Sequence, residues 1–213
     1  MRRTFLPRLA APLFALLLVG AADPARDAAP PAAPKPRSLP GEVLFQDDFS
    51  DGLGKWDSES SGAWTAPNGM LRADLPDEKQ ARAFLYAGSE DWRDYALDYD
   101  VCGMRGVDKG SAVRVRGKSA FAVDLRGGSY QDVVAYVREF PVGKAAARNA
   151  NGTWNHVRIE ARGERFRVFV NGRLAIDVTD DSRPQGRIAL AAYTGGVGEC
   201  TAWFDNVVVT KLK

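Results

Sequence analysis

From residue 41 onward, apolar and polar residues alternate in short runs separated by Gly, Asp and Asn. A period of two marks a strand with one buried face. The alternation predicts strands at Val43–Phe49, Ala81–Tyr86, Tyr95–Val101, Ser111–Arg116, Ala120–Arg126, Val133–Glu139, Asn155–Arg162, Arg165–Val170, Arg173–Val178, Arg187–Ala192 and Thr201–Thr210. No stretch of ten or more residues carries an apolar 3.6-residue period. Asn171-Gly172 is a strong hairpin signal, and Gly163 marks a second tight turn. About eleven short strands at this spacing predict an all-β, two-sheet antiparallel sandwich over 41–213.

The alternation also assigns faces. Val113 and Val115 are expected inside, with Arg114 and Arg116 outside. Phe121, Val123 and Leu125 go in, Asp124 and Arg126 out; Val133, Ala135 and Val137 go in, Tyr136 and Arg138 out. Arg114, Arg116, Asp124, Arg126, Tyr136 and Arg138 therefore form one expected outer face. Arginine forks bind carboxylates and hydroxyls in fixed geometry, and tyrosine rings stack on the apolar faces of sugars. Four arginines with one aspartate favour an acidic glycan. The loop 126–132 and Trp64 are expected to border the same groove, while the other tryptophans are read as packing residues, Trp56 as a plug under the first turn.

The segment before the strands differs in kind. Arg2, Arg3 and Arg8, the apolar run 10–19 and the small residues 20–22 form the tripartite pattern of a secretory signal peptide. Its apolar stretch is well short of the ~20 residues that span a bilayer. Residues 23–40 hold six of the twelve prolines and read as an extended Pro/Ala-rich spacer. The chain has 29 basic and 27 acidic residues, and removing 1–22 leaves 26 against 27. This balance excludes a general nucleic-acid binder. Export to the periplasm or beyond the cell, with no stable membrane insertion after cleavage, is the expected fate. The chain's two cysteines, Cys102 and Cys200, then meet an oxidising compartment and are expected to pair. One histidine and two cysteines cannot build the usual four-ligand zinc site, and His156 is the only candidate for a histidine-dependent triad. It is expected on an outward strand face.

The opening LFQDDFSDGLGKW (44–56), the block GTWNHVRIEARGERFRVFVNGRLAIDV (152–178), SRPQGRIALAAY (182–193) and the ending WFDNVVV (203–209) occur in that order. This resembles the concanavalin A-like lectin/glucanase superfamily, and within it laminin-G-like jelly rolls and the 3-keto-disaccharide hydrolase-like domain. The resemblance implies a jelly-roll β-sandwich with one concave and one convex sheet, carbohydrate being met on the concave side. It also implies a structural calcium ion near an aspartate of the last strand, here Asp205, with Asp47 or Asp48 from the first. In the keto-sugar group an arginine precedes a strand carrying Glu, Gln and Asp. Arg116 matches the arginine, while Ala122, Asp124 and Arg126 stand in the other three places. The acidic string of family-16 glycoside hydrolases is absent; Asp98 and Asp100 lack its flanking glutamates.

The sequence thus predicts an exported, non-catalytic carbohydrate-binding jelly roll for acidic oligo- or polysaccharides. Its alternatives are a hydrolase of the keto-sugar group working through Asp124 and Arg116, and an envelope adhesion module with a protein partner.

Overall fold

A computed structural model describes residues 28–213 except 61, 77, 79 and 197. The signal peptide expected over 1–22 lies outside these residues. Fifteen strands follow in order: β1 (Val43–Asp47), β2 (Asp57–Ser58), β3 (Trp64–Thr65), β4 (Leu71–Leu75), β5 (Arg82–Ala87), β6 (Tyr95–Arg105), β7 (Asp108–Arg116), β8 (Ser119–Arg126), β9 (Asp132–Val137), β10 (Phe140–Ala146), β11 (Trp154–Arg162), β12 (Arg165–Val170), β13 (Arg173–Thr179), β14 (Arg187–Tyr193) and β15 (Cys200–Lys211). Among the described residues no helix is long and apolar enough to cross a membrane.

The strands form the two antiparallel sheets of a jelly-roll sandwich. One sheet runs β13-β12-β11-β6-β15-β4-β3, with β1 also paired to β15; the other runs β10-β9-β8-β7-β14-β5-β2. The inward faces interdigitate as the alternation predicts: Phe121, Val123, Leu125, Val157, Ile159 and Phe166 are all fully buried. Phe121 stacks on Phe166 across the two sheets at 4.2 Å between centroids. Trp56 packs against Phe45 and Phe49 and donates from Nε1 to Asp47 Oδ2 at 2.7 Å, plugging the first turn.

Four strands escape the sequence reading. β2 and β3 are two residues each, too short for a period. β4 carries only five residues before Pro76. β10 contains Pro141 and Gly143, which suit an edge strand, and it pairs only with β9 in its sheet.

Arg114 is a correction. It sits at φ +51°, where the pairing of β7 with β8 slips between Val113 and Arg116. This β-bulge shifts the alternation by one residue. Val113 stays in the main core, and Val115 emerges in a small outer cluster with Tyr86, Ala112 and Ala189. The Arg114 guanidinium turns inward over Phe166 and donates to the carbonyls of Arg93, Gly163 and Arg183 at 3.1, 2.6 and 2.6 Å. Three loops are tied by one side chain that is 1% exposed.

The Cys102–Cys200 bridge is not formed; both thiols are free and buried. Cys102 pairs across strands with Trp203, three residues along β15 from Cys200. At the rise of a strand that offset is roughly 10 Å, beyond the span of a disulfide. Residues 28–40 also depart from expectation. The segment forms no strand or helix, yet it crosses the outer face of the eight-stranded sheet instead of standing clear of it.

Replacing Arg114 with Ala leaves three carbonyls without their donor in a buried setting. Urea unfolding should show a loss of about 3–5 kcal/mol; a loss under about 1 kcal/mol would contradict this role for Arg114.

Candidate functional site: a groove on the seven-stranded sheet

Strand pairing arranges the outer face of this sheet in rows. One row runs Arg82, Tyr193, Asp108, Arg126 and Asp132 across β5, β14, β7, β8 and β9. The next runs Phe84, Ala191, Gly110, Asp124 and Val134. The third runs Tyr86, Ala189, Ala112, Ala122 and Tyr136. Alanine and glycine occupy the middle of the second and third rows, so the centre of the face is a low floor between taller walls. Gly110 is required there, since a Cβ would lie 1.9 Å from the Val123 carbonyl oxygen.

The sheet is strongly curved. Four strand spacings separate β5 from β9, about 19 Å on a flat sheet. Nevertheless Arg82 Nη1 donates to Glu139 Oε1, in the turn between β9 and β10, at 2.7 Å. The two sides of the sheet therefore rise towards each other around the floor, as the resemblance implies for a concave sheet. The resulting groove has a volume of about 380 Å³ and is lined by Arg82, Phe84, Asp108, Asp124, Arg126, Tyr136, Arg138 and Tyr193 among others.

Of the six side chains expected to share one face, four do: Asp124, Arg126, Tyr136 and Arg138. Arg114 is withdrawn into the bulge. Arg116 lies outside the groove lining and faces Glu90 at 3.7 Å. Trp64 is buried in the core against Phe204, away from the groove. The sequence reading missed Arg82, Phe84, Asp108 and Tyr193. Their strands were visible or partly visible, but the pairing of β14 between β5 and β7 was not.

The charges in the groove are unevenly satisfied. Arg126 makes a two-pronged pair with Asp132, at 2.7 Å on each prong, and lies 4.3 Å over the Tyr130 ring. Arg82 is held by Glu139 and stacks on Tyr193. Asp124, by contrast, has no side-chain hydrogen bond or ion pair among the described residues. Burial and the charge of Asp108 push its carboxyl up to about 7, against the opposing pull of Arg126 and Arg82. Burial also raises Asp108, with Arg126 and Lys109 opposing. Two carboxyl groups on one groove face thus resist ionisation while their arginine neighbours are largely committed elsewhere.

The expected calcium ligands are each engaged by protein donors. Asp48 caps its own turn by accepting from Ser50 N at 3.1 Å and Ser50 Oγ at 2.7 Å. Asp47 is taken by Lys55 and Trp56, and Asp205 accepts from Asn206 N. Among the described residues no three His, Cys, Asp or Glu side chains converge to hold a metal. His156 is not a solvated strand residue either. It lies on the opposite sheet between Asp98 and Asp100, at 3.2 and 3.3 Å, far from the groove in the fold.

Residues 42–210 match the family described as the 3-keto-alpha-glucoside-1,2-lyase-like domain. The chain belongs to this family. No curated protein matches it. Among solved structures, carbohydrate-binding module CBM66 from Bacillus subtilis superposes with a TM-score of 0.63 at 17% identity, covering 75% of this chain and 97% of that one. The VIP36 exoplasmic/lumenal domain, in its Ca2+/Man3GlcNAc-bound form, gives 0.59 at 15% identity over 76% of this chain and 85% of that one. A mutant of alginate lyase Aly36B in complex with alginate trisaccharide gives 0.58 at 13% identity over 83% of this chain and 100% of that one. These likenesses establish the jelly-roll fold that the family membership carries.

The Asp124 carboxyl gives a pH test. Its folded value of about 7 exceeds the usual ~3.9 of an unfolded aspartate. Between those values the folded state holds the extra proton, so Asp124 makes stability fall as pH rises from about 4 to about 7 and level off above. Asp124→Asn lacks this penalty. Its melting temperature relative to the parent should climb across that window; a constant difference would show that Asp124 ionises normally.

Proposed function

We propose that the groove binds an oxidised α-glucoside and that Asp124 moves the proton in a 1,2-elimination. The observation that carries this reading is a carboxyl group on the groove wall that has no hydrogen-bond partner among the described residues and is pushed up to about 7. A general base is most effective when its pKa lies near the working pH. In a 3-keto-glucoside the hydrogen on C2 is acidified by the neighbouring ketone. Asp124 in its carboxylate form would take that proton, the C1–C2 double bond would form, and the C1–O bond would break. The departing alkoxide takes a proton back from Asp124, which the first step has just protonated. Tyr136, Tyr193 and the alanine floor offer apolar surface for the flat of the ring.

The substrate is better read as neutral than as acidic. The acidic-glycan expectation rested on four free arginines. Arg114 and Arg116 leave the groove, and Arg126 is neutralised by Asp132. The family membership and an expected export signal at 1–22 agree with a saccharide met outside the cytoplasm.

A second reading, glycan binding without turnover, is favoured by Ala122. It stands where the resemblance places a glutamate, and its methyl group can do no acid–base work. One experiment separates the two. A chromogenic 3-keto-α-glucoside is offered to the full chain and aglycone release is followed by absorbance. The lyase reading expects release whose kcat/KM rises with pH to a plateau above about 7. It also expects a loss of about 10²-fold or more for Asp124→Asn. Saccharide binding without release, weakened only modestly in Asp124→Asn, would establish the binding reading instead.

A further inference from the structure

The outer face of the eight-stranded sheet carries a second constellation, which the groove chemistry does not use. Residues 31–37 read PAAPKPR and cross three neighbouring strands, β11, β6 and β15. Trp154 Nε1 donates to the Pro31 carbonyl at 2.8 Å. Asn206 Nδ2 donates to the Pro34 carbonyl at 2.8 Å. Arg37 Nη1 donates to both oxygens of Asp100, at 2.7 and 2.9 Å. The contacted positions are 31, 34 and 37, a strict period of three. That is the repeat of the polyproline II helix, which has three residues per turn and leaves its carbonyls free for a partner.

The receiving surface is built for this register. Asp100 is fully buried yet charged, and its carboxylate also accepts from Asn206 Nδ2 at 2.8 Å. His156 bridges Asp100 to Asp98, and Arg158 holds Asp98 from the far side. Hydrogen bonds from His156, Asn206 and the strap's own Arg37 keep Asp100 below the usual carboxylate range in spite of its burial. Asn206 sits at φ +53°, where the pairing of β15 with β6 slips between Asp205 and Val208. The bulge turns its amide out of the sheet to reach both Pro34 and Asp100. A cavity of about 290 Å³ continues beside Pro36, Arg37 and Leu39, bounded by Asp98, His156 and Asn206. A buried carboxylate fixed by neighbouring bonds, a projecting amide and an indole N–H are spaced to read Pro-x-x-Pro-x-x-Arg.

We propose that this face is a recognition site for an arginine-bearing polyproline II peptide, and that the chain's own residues 31–37 occupy it in cis. The occupant is a strap: only five residues separate Arg37 from β1. A tether that short gives an effective concentration of the order of millimolar. A peptide in trans must displace it, so the site is masked until the strap is removed or outcompeted. This site is independent of the groove and of the lyase reading.

The test uses the full chain and a synthetic peptide of residues 31–37, with the Asn206 side-chain amide followed by NMR. Arg37→Gln removes the strap's ion pair with Asp100 and so weakens its hold, and Arg37 is exposed enough for the variant to fold. That variant should bind the peptide at least about tenfold more tightly than the unmodified chain, which the strap blocks. In the Arg37→Gln background, Asp100→Asn should abolish peptide binding. Trp154→Phe, which deletes only the Pro31 contact, should weaken it several-fold and covers the case in which the Asp100 variant does not fold. Equal peptide affinity with and without the Arg37 change, or binding unaffected by Trp154→Phe, would overturn the proposal.

Discussion

The register of β14 between β5 and β7 is the constraint from which the groove follows. Tyr193 meets Arg82 on one side and Asp108 on the other, and the rows behind it fall into place in steps of two. A one-residue slip would send Ala189, Ala191 and Tyr193 into the core and turn Ile188 and Leu190 out to water. Ile188 and Leu190 are fully buried, so the hydrophobic effect on the inner face fixes the chemistry of the outer one. Low side chains in the middle strands then make the hollow, and Gly110 allows β8 to lie close enough to present Asp124.

The two sheets divide their labour. The seven-stranded sheet presents an open groove with carboxyl groups that resist ionisation. The eight-stranded sheet presents a carboxylate kept ionised by His156, Asn206 and Arg37. Both aspartates sit in partly or wholly desolvated places. What separates them is hydrogen bonding: Asp100 has several donors, whereas Asp124 has none among the described residues and the charge of Asp108 nearby. Burial disfavours a charge, and donors aimed at the charged form restore it. The same residue type is therefore ionised readily on one face and resists ionisation on the other.

Arginine shows the complementary lesson. Arg114, Arg126 and Arg82 are engaged by carbonyls, by Asp132 and by Glu139, in that order. A count of arginines on a face overstates the charge a ligand would meet. What the groove presents is mostly small apolar floor, tyrosine rings and two carboxyl groups.

Much of this was legible in the sequence, because a period of two needs only neighbours to be read. Eleven strand segments, the inward Phe121–Val123–Leu125 triplet and the outward Asp124, Arg126 and Tyr136 all followed from alternation, and the Asn-Gly turn from its own dipeptide. The motifs from 44–56 to 203–209 carried the resemblance that the family match bears out. Three things waited for the tertiary structure. The bulge at Arg114 breaks the period locally, and nothing in the string AVRVRG marks where. The groove residues Arg82, Asp108 and Tyr193 lie far apart in sequence and are joined only by non-local pairing. The period-three contacts of Pro31, Pro34 and Arg37 need a partner surface from β6, β11 and β15. Local composition determined that the segment would be extended; the sheet decided what it lies against.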